Sequence, residues 1–499
     1  MTHSRADNRV AILAADGIFS YADLDEVSAR VAAALVGLVP GATGGDLGER
    51  RVAFLVPPSF GYVVIQRAIW RAGGIAVPLA VSHPPAELEY VVADAGASIV
   101  IGSGRLAGDL AAIAASAGVP FVPTPDLLAA DPASWTDAPT TAGRRAMILY
   151  TSGTTGKPKG VVTTHGNIAA QIASLVDAWE WTARDTALLA LPLHHVHGLI
   201  NVLGCALAAQ AACQILPQFD TEAVWERLAS GEITVFSSVP TIYARLIQSW
   251  EAASPLVQRQ RTAGCANVRL MMSGSAALPV STLERWREIS GHVLLERYGM
   301  TEIGMALSNN LHGTRRPGSV GAPLPDIRVR IVDEQGQTVP DGTSGELDVR
   351  GPGVFHEYWR RPDETRDAFR DGWFRTGDMA VVDDGVYRLL GRTSIDIIKT
   401  GGYKVSALEI EEAIRDHPAV RDCAVVGIPD DEWGERVMAA AELMRDADLD
   451  LLSLREWLRP RLAPYKIPTG LHCVEALPRN AMGKVVKPSL QLLLANLKD

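Results

Sequence analysis

Tyr150-Thr151-Ser152-Gly153-Thr154-Thr155-Gly156-Lys157-Pro158-Lys159-Gly160 follows directly on the apolar run Ala146-Met147-Ile148-Leu149. The run, continued by Tyr150, reads as a buried strand, and the segment after it as a loop at that strand's C-terminal end. Open α/β sheets bind their ligands at such ends. Thr151, Ser152, Thr154 and Thr155 offer hydroxyl donors, Gly153 and Gly156 let backbone N–H groups turn toward an anion, and Lys157 adds charge, so the loop has the chemistry of a phosphate grip. It is not a Walker loop, because its lysines are followed by Pro158 and Gly160 and not by Ser or Thr.

Outward from this loop, strand and helix patterns alternate. Upstream lie a helix from Tyr21 to about Leu38, a strand at Arg51–Val56, a helix at Tyr62–Ala72, a strand at Ile75–Leu79, a helix at Glu87–Ala95 and a strand at Ser98–Ile101. A loop spans Ala129–Thr141. Downstream, helices are expected at about Asn167–Trp179, Leu199–Ala209, Thr221–Ser230 and Thr241–Ala252. Strands are expected at Thr186–Leu191, Ala212–Leu216, Val235–Val239 and Arg269–Met272. Such alternation predicts a mostly parallel sheet covered by helices. From about Pro323 short β-type runs (Ile327–Val332, Glu346–Val349) alternate with Gly/Asp/Pro turns. Beyond Gly391–Lys399 come a helix at Ala407–Arg415, strands at Asp422–Ile428 and Val437–Leu443, a helix at Leu451–Leu462 and a strand at Leu471–Val474. The expected fold is α/β: a large N-terminal body of mostly parallel sheets flanked by helices plus a small β-rich subdomain (1–392), followed by a small α+β C-terminal lid (393–499).

The chain has 499 residues, too many for one core. Its net charge of −10 argues against a nucleic-acid surface. No apolar run is long enough to span a bilayer, Leu188–Leu193 ending in histidines. Met1–Arg9 has neither the apolar core of a signal peptide nor a basic targeting character, so the cytoplasm is the expected location. Cys205, Cys213, Cys265, Cys423 and Cys473 are scattered without a C-x-x-C, which favours buried free thiols over disulfides or a metal centre. The oligomeric state is left open.

Further motifs occur in order: Ser273-Gly274-Ser275-Ala276-Ala277, Glu296-Arg297-Tyr298-Gly299-Met300-Thr301-Glu302, Trp373-Phe374-Arg375-Thr376-Gly377-Asp378 with Gly391-Arg392, Lys399-Thr400-Gly401-Gly402-Tyr403-Lys404, and Pro478-Arg479-Asn480-Ala481-Met482-Gly483-Lys484. With the phosphate loop they resemble the adenylate-forming superfamily of acyl-CoA synthetases, luciferases and adenylation domains, over most of the chain. The resemblance implies ATP, Mg²⁺ and coenzyme A. It places Tyr298 against adenine, Thr301 on the α-phosphate and Glu302 toward Mg²⁺, for which a carboxylate is a suitably hard ligand. Glu296, Gly299, Ser275 and Ala276 belong to the same nucleotide pocket. Asp378 and Arg392 hold the ribose, where an ionised carboxylate accepts both diol protons. Lys484 is implied to bridge the substrate carboxylate and the α-phosphate, since a cation between two reacting anions stabilises the developing charge. Gly401, Gly402, Tyr403 and Lys404 are implied to line the thiol tunnel. At the hinge the family has Asp or Lys where Ser394 stands here.

The acid is read from other residues. Where the superfamily's amino-acid-activating domains place an aspartate, this chain has His194-His195-Val196-His197. Arg245 lies on the polar stripe Thr241, Arg245, Ser249 of an amphipathic helix. Arg297 shares alternation with the apolar Val293 and Leu295, and a charge there needs a partner. Together they resemble the second-carboxylate clamp of malonyl-CoA synthetases, with His197, Ser273 and Met300 as walls of the acyl pocket. Alone, Arg245 would read as a solvated helix charge and Arg297 as half of a structural ion pair. The resemblance implies ATP-dependent ligation of malonate to coenzyme A through an acyl-adenylate, releasing AMP and pyrophosphate. Methylmalonate is a second expected acid, since one methyl carries only about 1–3 kcal/mol of discrimination. The competing readings are a ligase for another short-chain or aromatic acid, a protein that loads a carrier protein, and a non-enzymatic nucleotide binder.

Overall fold

The computed structural model describes residues 8–103, 107–131, 135–151, 158–393, 395–430, 433–480 and 483–495. Its apolar β-rich segments are buried on both faces, as strands covered by helices must be. Strand Val235–Ser238 pairs in parallel with Leu270–Ser273 and with Thr186–Leu189, and Leu270–Ser273 pairs in parallel with Leu295–Met300. These strands lie in a nine-stranded sheet that ends in the antiparallel hairpin Val10–Ala14/Gly17–Ser20 at one edge. A seven-stranded sheet holds Ile75–Pro78, Arg51–Leu55, Ile99–Gly102 and Phe121–Pro123 in parallel, with Arg145–Thr151 beside Ile75–Pro78. A large apolar core between helices and sheets contains Trp179, Trp225 and Trp286, the last two stacked 5.6 Å apart.

A β-rich subdomain follows, in which Arg328–Val332, Gly345–Arg350, Trp373–Asp383 and Val386–Arg392 form an antiparallel sheet around Phe355 and Phe374. In the C-terminal part, Ile397–Thr400, Tyr403–Ser406, Val420–Asp430, Gly434–Leu443 and Gly470–Cys473 make a further sheet. Its two apolar clusters draw on residues from Ile398 to Leu494 and form cores of their own. The expected α/β class, β-rich subdomain and α+β C-terminal part are all present. Among the described residues no helix is long and apolar enough to cross a membrane. Cys205, Cys213, Cys265 and Cys423 are buried free thiols, whereas Cys473 is exposed.

The differences are local. After the phosphate loop the chain does not go straight into a helix: Lys159–Thr164 returns antiparallel to Arg145–Thr151, and the helix starts at His165. The β-branched run Val161-Val162-Thr163-Thr164 explains this strand. Helices Pro255–Cys265 and Val280–Ser290 were not expected, nor was Lys487–Ala495. The helix expected from Leu199 starts as a π-helical stretch, His197–Gly204, before Cys205–Ala208.

Candidate active site

The parallel strands Val235–Ser238, Leu270–Ser273 and Leu295–Met300 end side by side, their register setting Ser238 opposite Ser273 and Ser273 opposite Glu296. The next residues therefore meet at one edge, the usual ligand end of an open sheet. Arg297 is only 3 % exposed. It lies flat against Gly274, where a β-carbon would come within 2.1 Å of its Nη1, so only glycine fits. The Nη2 of Arg297 meets Nε2 of His197, which is also 2.8 Å from Ser237 Oγ, and His197 Nδ1 is 3.1 Å from Ser275 Oγ.

A guanidinium only donates, so His197 Nε2 accepts and the ring proton sits on Nδ1, donated to Ser275. Burial and the Arg297 charge hold His197 well below its ordinary range, so it is neutral. Burial lowers Arg297 to about 10, which leaves it protonated at neutral pH. Among the described residues no carboxylate pairs with Arg297, and its Nε, Ser273 Oγ and Ser238 Oγ are buried without a hydrogen-bond partner. A buried cation matched only to a neutral imidazole is complementary to an anionic ligand group.

The polar stripe expected on helix Pro240–Ala252 has Thr241 on the cleft side, in contact distance of Gly483. Arg245, one turn further on the same face, is exposed, with its guanidinium 5.7 Å from the Phe219 ring centroid. Arg245 and Arg297 thus differ in setting: one exposed, one buried.

At the other end of the site, strand register places Asp378 opposite Arg392. Arg392 Nε donates to Asp378 Oδ1 at 3.2 Å, and the Tyr298 hydroxyl donates to Oδ2 at 2.5 Å. Burial raises the Asp378 carboxyl above its ordinary value, against the opposing pull of Arg392. Met300, Thr301 and Glu302 lie at the turn between Leu295–Met300 and Gly304–Ser308, where Gly299 allows the close approach of the Gly304 carbonyl. Met300 is half-buried against the subdomain cluster around Ile303 and Phe355. Glu302 is buried, accepts the Tyr358 hydroxyl at 3.0 Å and is raised in pKa by desolvation. Among the described residues no three His, Cys, Asp or Glu side chains could together hold a metal. A carboxylate is a hard oxygen ligand, so Glu302 has the chemistry to fill one position around a Mg²⁺.

Glu296 accepts the Gly318 N–H at 3.0 Å; burial pushes its carboxyl up to about 8, with Glu412 adding to the shift. Ala276 is exposed beyond Ser275, whose φ of 68° puts it in the left-handed region. Thr151 ends its strand opposite Lys159. Ser152, Gly153, Thr154, Thr155, Gly156, Lys157 and Ser394 lie outside the described residues.

The C-terminal part closes over this edge. The Lys484 turn is held by its N–H donating to Asn480 Oδ1 at 3.0 Å. Lys484 is solvent-accessible, yet its ammonium is lowered in pKa by desolvation and by the fields of Arg392 and Arg297. In return it helps burial hold His195 down at about 4. The lysine thus lies in electrostatic reach of both the His197–Arg297 end and the Asp378–Arg392 end. Glu412 accepts the N–H of Val280, at the start of helix Val280–Ser290, at 2.9 Å. Gly401 and Gly402, with φ of 54° and 82°, form an exposed turn, and Tyr403 stacks on Tyr465 at 4.2 Å. Lys404 follows in strand Tyr403–Ser406, its backbone opposite Lys399. Ser237, Thr241, Tyr358 and Glu412 were not foreseen as site residues. For Ser237 the signal was present, a hydroxyl at the C-terminal end of a buried parallel strand.

Fold and site together define an AMP-forming enzyme. A model of AMP-binding enzymes matches residues 2–359, and one of the AMP-binding enzyme C-terminal domain matches 409–484. The chain belongs to the AMP-binding enzyme family. It is 48% identical to the mitochondrial malonate–CoA ligase of Mus musculus, over 97% of this chain and 88% of that one. ATP-bound MatB from Rhodopseudomonas palustris superposes with a TM-score of 0.91 at 37% identity, covering 98% of this chain and 96% of that one. For apo MatB of the same organism the TM-score is 0.81 at the same identity and coverage. The arrangement of this chain is thus closer to the ATP-bound form.

Proposed function

We propose that this protein joins malonate to coenzyme A in two steps, first forming malonyl-adenylate from ATP with release of pyrophosphate, then exchanging AMP for the CoA thiol. The observation that carries the choice of acid is the buried, protonated Arg297, partnered by neutral His197 and by no carboxylate among the described residues. One malonate carboxylate reacts; the other stays ionised and needs a guanidinium. Arg297 supplies it from the pocket wall, Ser275 and His197 fix its orientation, and Arg245 closes the clamp from the exposed face that Thr241 shares. Ser273 and Met300 complete the walls.

Tyr298 presents its ring to adenine and, with Arg392, orients Asp378 toward the ribose diol. Thr301 takes the α-phosphate, while Thr151, Ser152, Gly153, Thr154, Thr155, Gly156 and Lys157 grip the departing pyrophosphate. Glu296, Gly299 and Ala276 shape the nucleotide pocket. Mg²⁺, held by Glu302, would neutralise phosphate charge when bound. Lys484 stands between the two anions and stabilises the charge that builds as the carboxylate attacks phosphorus. One lid cannot offer both Lys484 and the Gly401–Lys404 turn to one site. The part from 393 onward therefore rotates against residues 1–392 between the half-reactions, and Gly401, Gly402, Tyr403 and Lys404 then line the path of the thiol.

Pyrophosphate release is measured with malonate, methylmalonate, acetate, benzoate and octanoate, with CoA or a holo-carrier protein as acceptor. Malonate is expected to lead, methylmalonate to follow, and CoA to suffice. Equal rates with malonate and acetate would end the diacid reading, and product with the carrier alone would end the CoA assignment.

A further inference from the structure

Lys487 opens the helix Lys487–Ala495, three residues after Lys484, yet is only 8 % exposed. Its ammonium donates to Asp396 Oδ1 at 2.5 Å and lies 2.7 Å from Glu411 Oε1. Glu411 is itself fixed in the C-terminal core, accepting the Val425 N–H at 2.9 Å and pairing with Arg415. Asp396 faces the other way as well: its Oδ2 accepts the backbone N–H of Arg392 at 3.0 Å, and its own N–H donates to the Arg392 carbonyl at 2.7 Å. It packs on Gly391, where φ is +112° and a β-carbon would lie 2.3 Å from Asp396 Cβ. Arg392 in turn holds Asp378. One half-buried carboxylate thus ties the residue that positions the ribose ligand to the start of the helix that carries the Lys484 turn.

A buried ion pair contributes little net stability, because desolvation offsets the Coulombic attraction, but it specifies geometry. We propose that Asp396 and Lys487 are positioning residues that latch the C-terminal part in the orientation for adenylation, holding Lys484 at the reacting centre. This rests on the two-step reading above. Asp396 spans the boundary between the two parts, so rotation for the thioester step must break its bond to Arg392. The latch therefore favours the first half-reaction and is not needed in the second.

The test separates the half-reactions in Asp396→Asn, Lys487→Met and Lys487→Arg. Malonyl-adenylate formation is followed by pyrophosphate release in a single turnover, and thioester formation by supplying prepared malonyl-adenylate and CoA. In Asp396→Asn and Lys487→Met the adenylation rate is expected to fall by about 100-fold, the scale of a mispositioned catalytic group. The KM values for ATP and malonate and the thioester rate are expected to stay within about threefold. Lys487→Arg keeps a cation for both carboxylates and is expected to restore most of the adenylation rate. Equal losses in both half-reactions, or an unchanged adenylation rate, would overturn the latch. If Lys487→Met fails to fold, Asp396→Asn, which keeps size and an acceptor oxygen, decides alone. If the wild type itself releases no pyrophosphate with malonate, the proposed function fails first, which is a separate result.

Discussion

Arg297→Ala is the most decisive single change. The guanidinium is 3 % exposed, remains protonated and has a neutral imidazole as its side-chain partner. Its removal leaves His197 with the Ser237 and Ser275 hydroxyls, so the pocket keeps its hydrogen bonds. A bound malonate, however, would then bury a carboxylate without its counter-ion. Breaking one side of a buried ion pair costs about 3–5 kcal/mol, which corresponds to a loss of about 10²- to 10⁴-fold in kcat/KM. Butyrate has a similar length but no second charge, and it should gain or stay level. The assay is initial-rate pyrophosphate release with each acid at saturating ATP. The ratio of malonate to butyrate kcat/KM should collapse while KM for ATP moves less than about threefold. Arg297→Lys should fall between, since a point charge lacks the bidentate fork. An unchanged ratio in Arg297→Ala would refute the role of this residue in holding the free carboxylate.

Arg245→Ala should lower malonate kcat/KM by about tenfold, less than Arg297→Ala, because an exposed cation is screened by solvent; the same acid panel measures it. In Gly274→Ala the new methyl enters the space of Arg297 Nη1, and malonate selectivity should drop without loss of ATP binding. Lys484→Met should slow adenylation by about 10²- to 10³-fold and leave thioester formation from prepared malonyl-adenylate nearly intact; parallel losses would contradict its assignment to the first step. Glu296 provides a pH test. Its folded-state pKa of about 8 stands above the ordinary 4.5, so the folded protein holds this proton more tightly than the unfolded chain. The resulting stability is fully present below pH 4.5 and is lost as pH rises to about 8. Glu296→Gln should therefore match the wild type near pH 5 and exceed it by about 4–5 kcal/mol at pH 9, read from denaturant unfolding; parallel pH curves would exclude the effect.

Much of the architecture was legible because local patterns agree with it. The helix at Tyr21–Leu38 has its Ser20 capping box and an apolar stripe, and the C-terminal unit shows its own alternation. Strand Lys159–Thr164 is not among the expected elements; its β-branched run favours a strand, and pairing with Arg145–Thr151 across the hairpin completes it. Helix Pro255–Cys265 buries only Arg261, Gly264 and Cys265, so packing and not periodicity defines it, whereas Val280–Ser290 carries its stripe at Leu283, Trp286 and Ile289. The motif residues Asp378, Arg392, Tyr298 and Lys484 could be picked out because each brings a distinct chemistry at a fixed place in the order.

What distance in sequence hides is how they meet. His197, Ser237, Ser275 and Arg297 come from four segments, and only the register of parallel strands gathers them. The proton on His197 Nδ1 follows from the donor-only character of Arg297 next to it, a fact of contact and not of composition. The different settings of Arg245 and Arg297, and the reach of Asp396 from Arg392 to Lys487, are likewise tertiary. The sequence by itself determined the family of chemistry, because a phosphate loop and its companion motifs are short and local. Tertiary structure alone decided which charge is buried and unpaired, because desolvation depends on everything packed around a side chain.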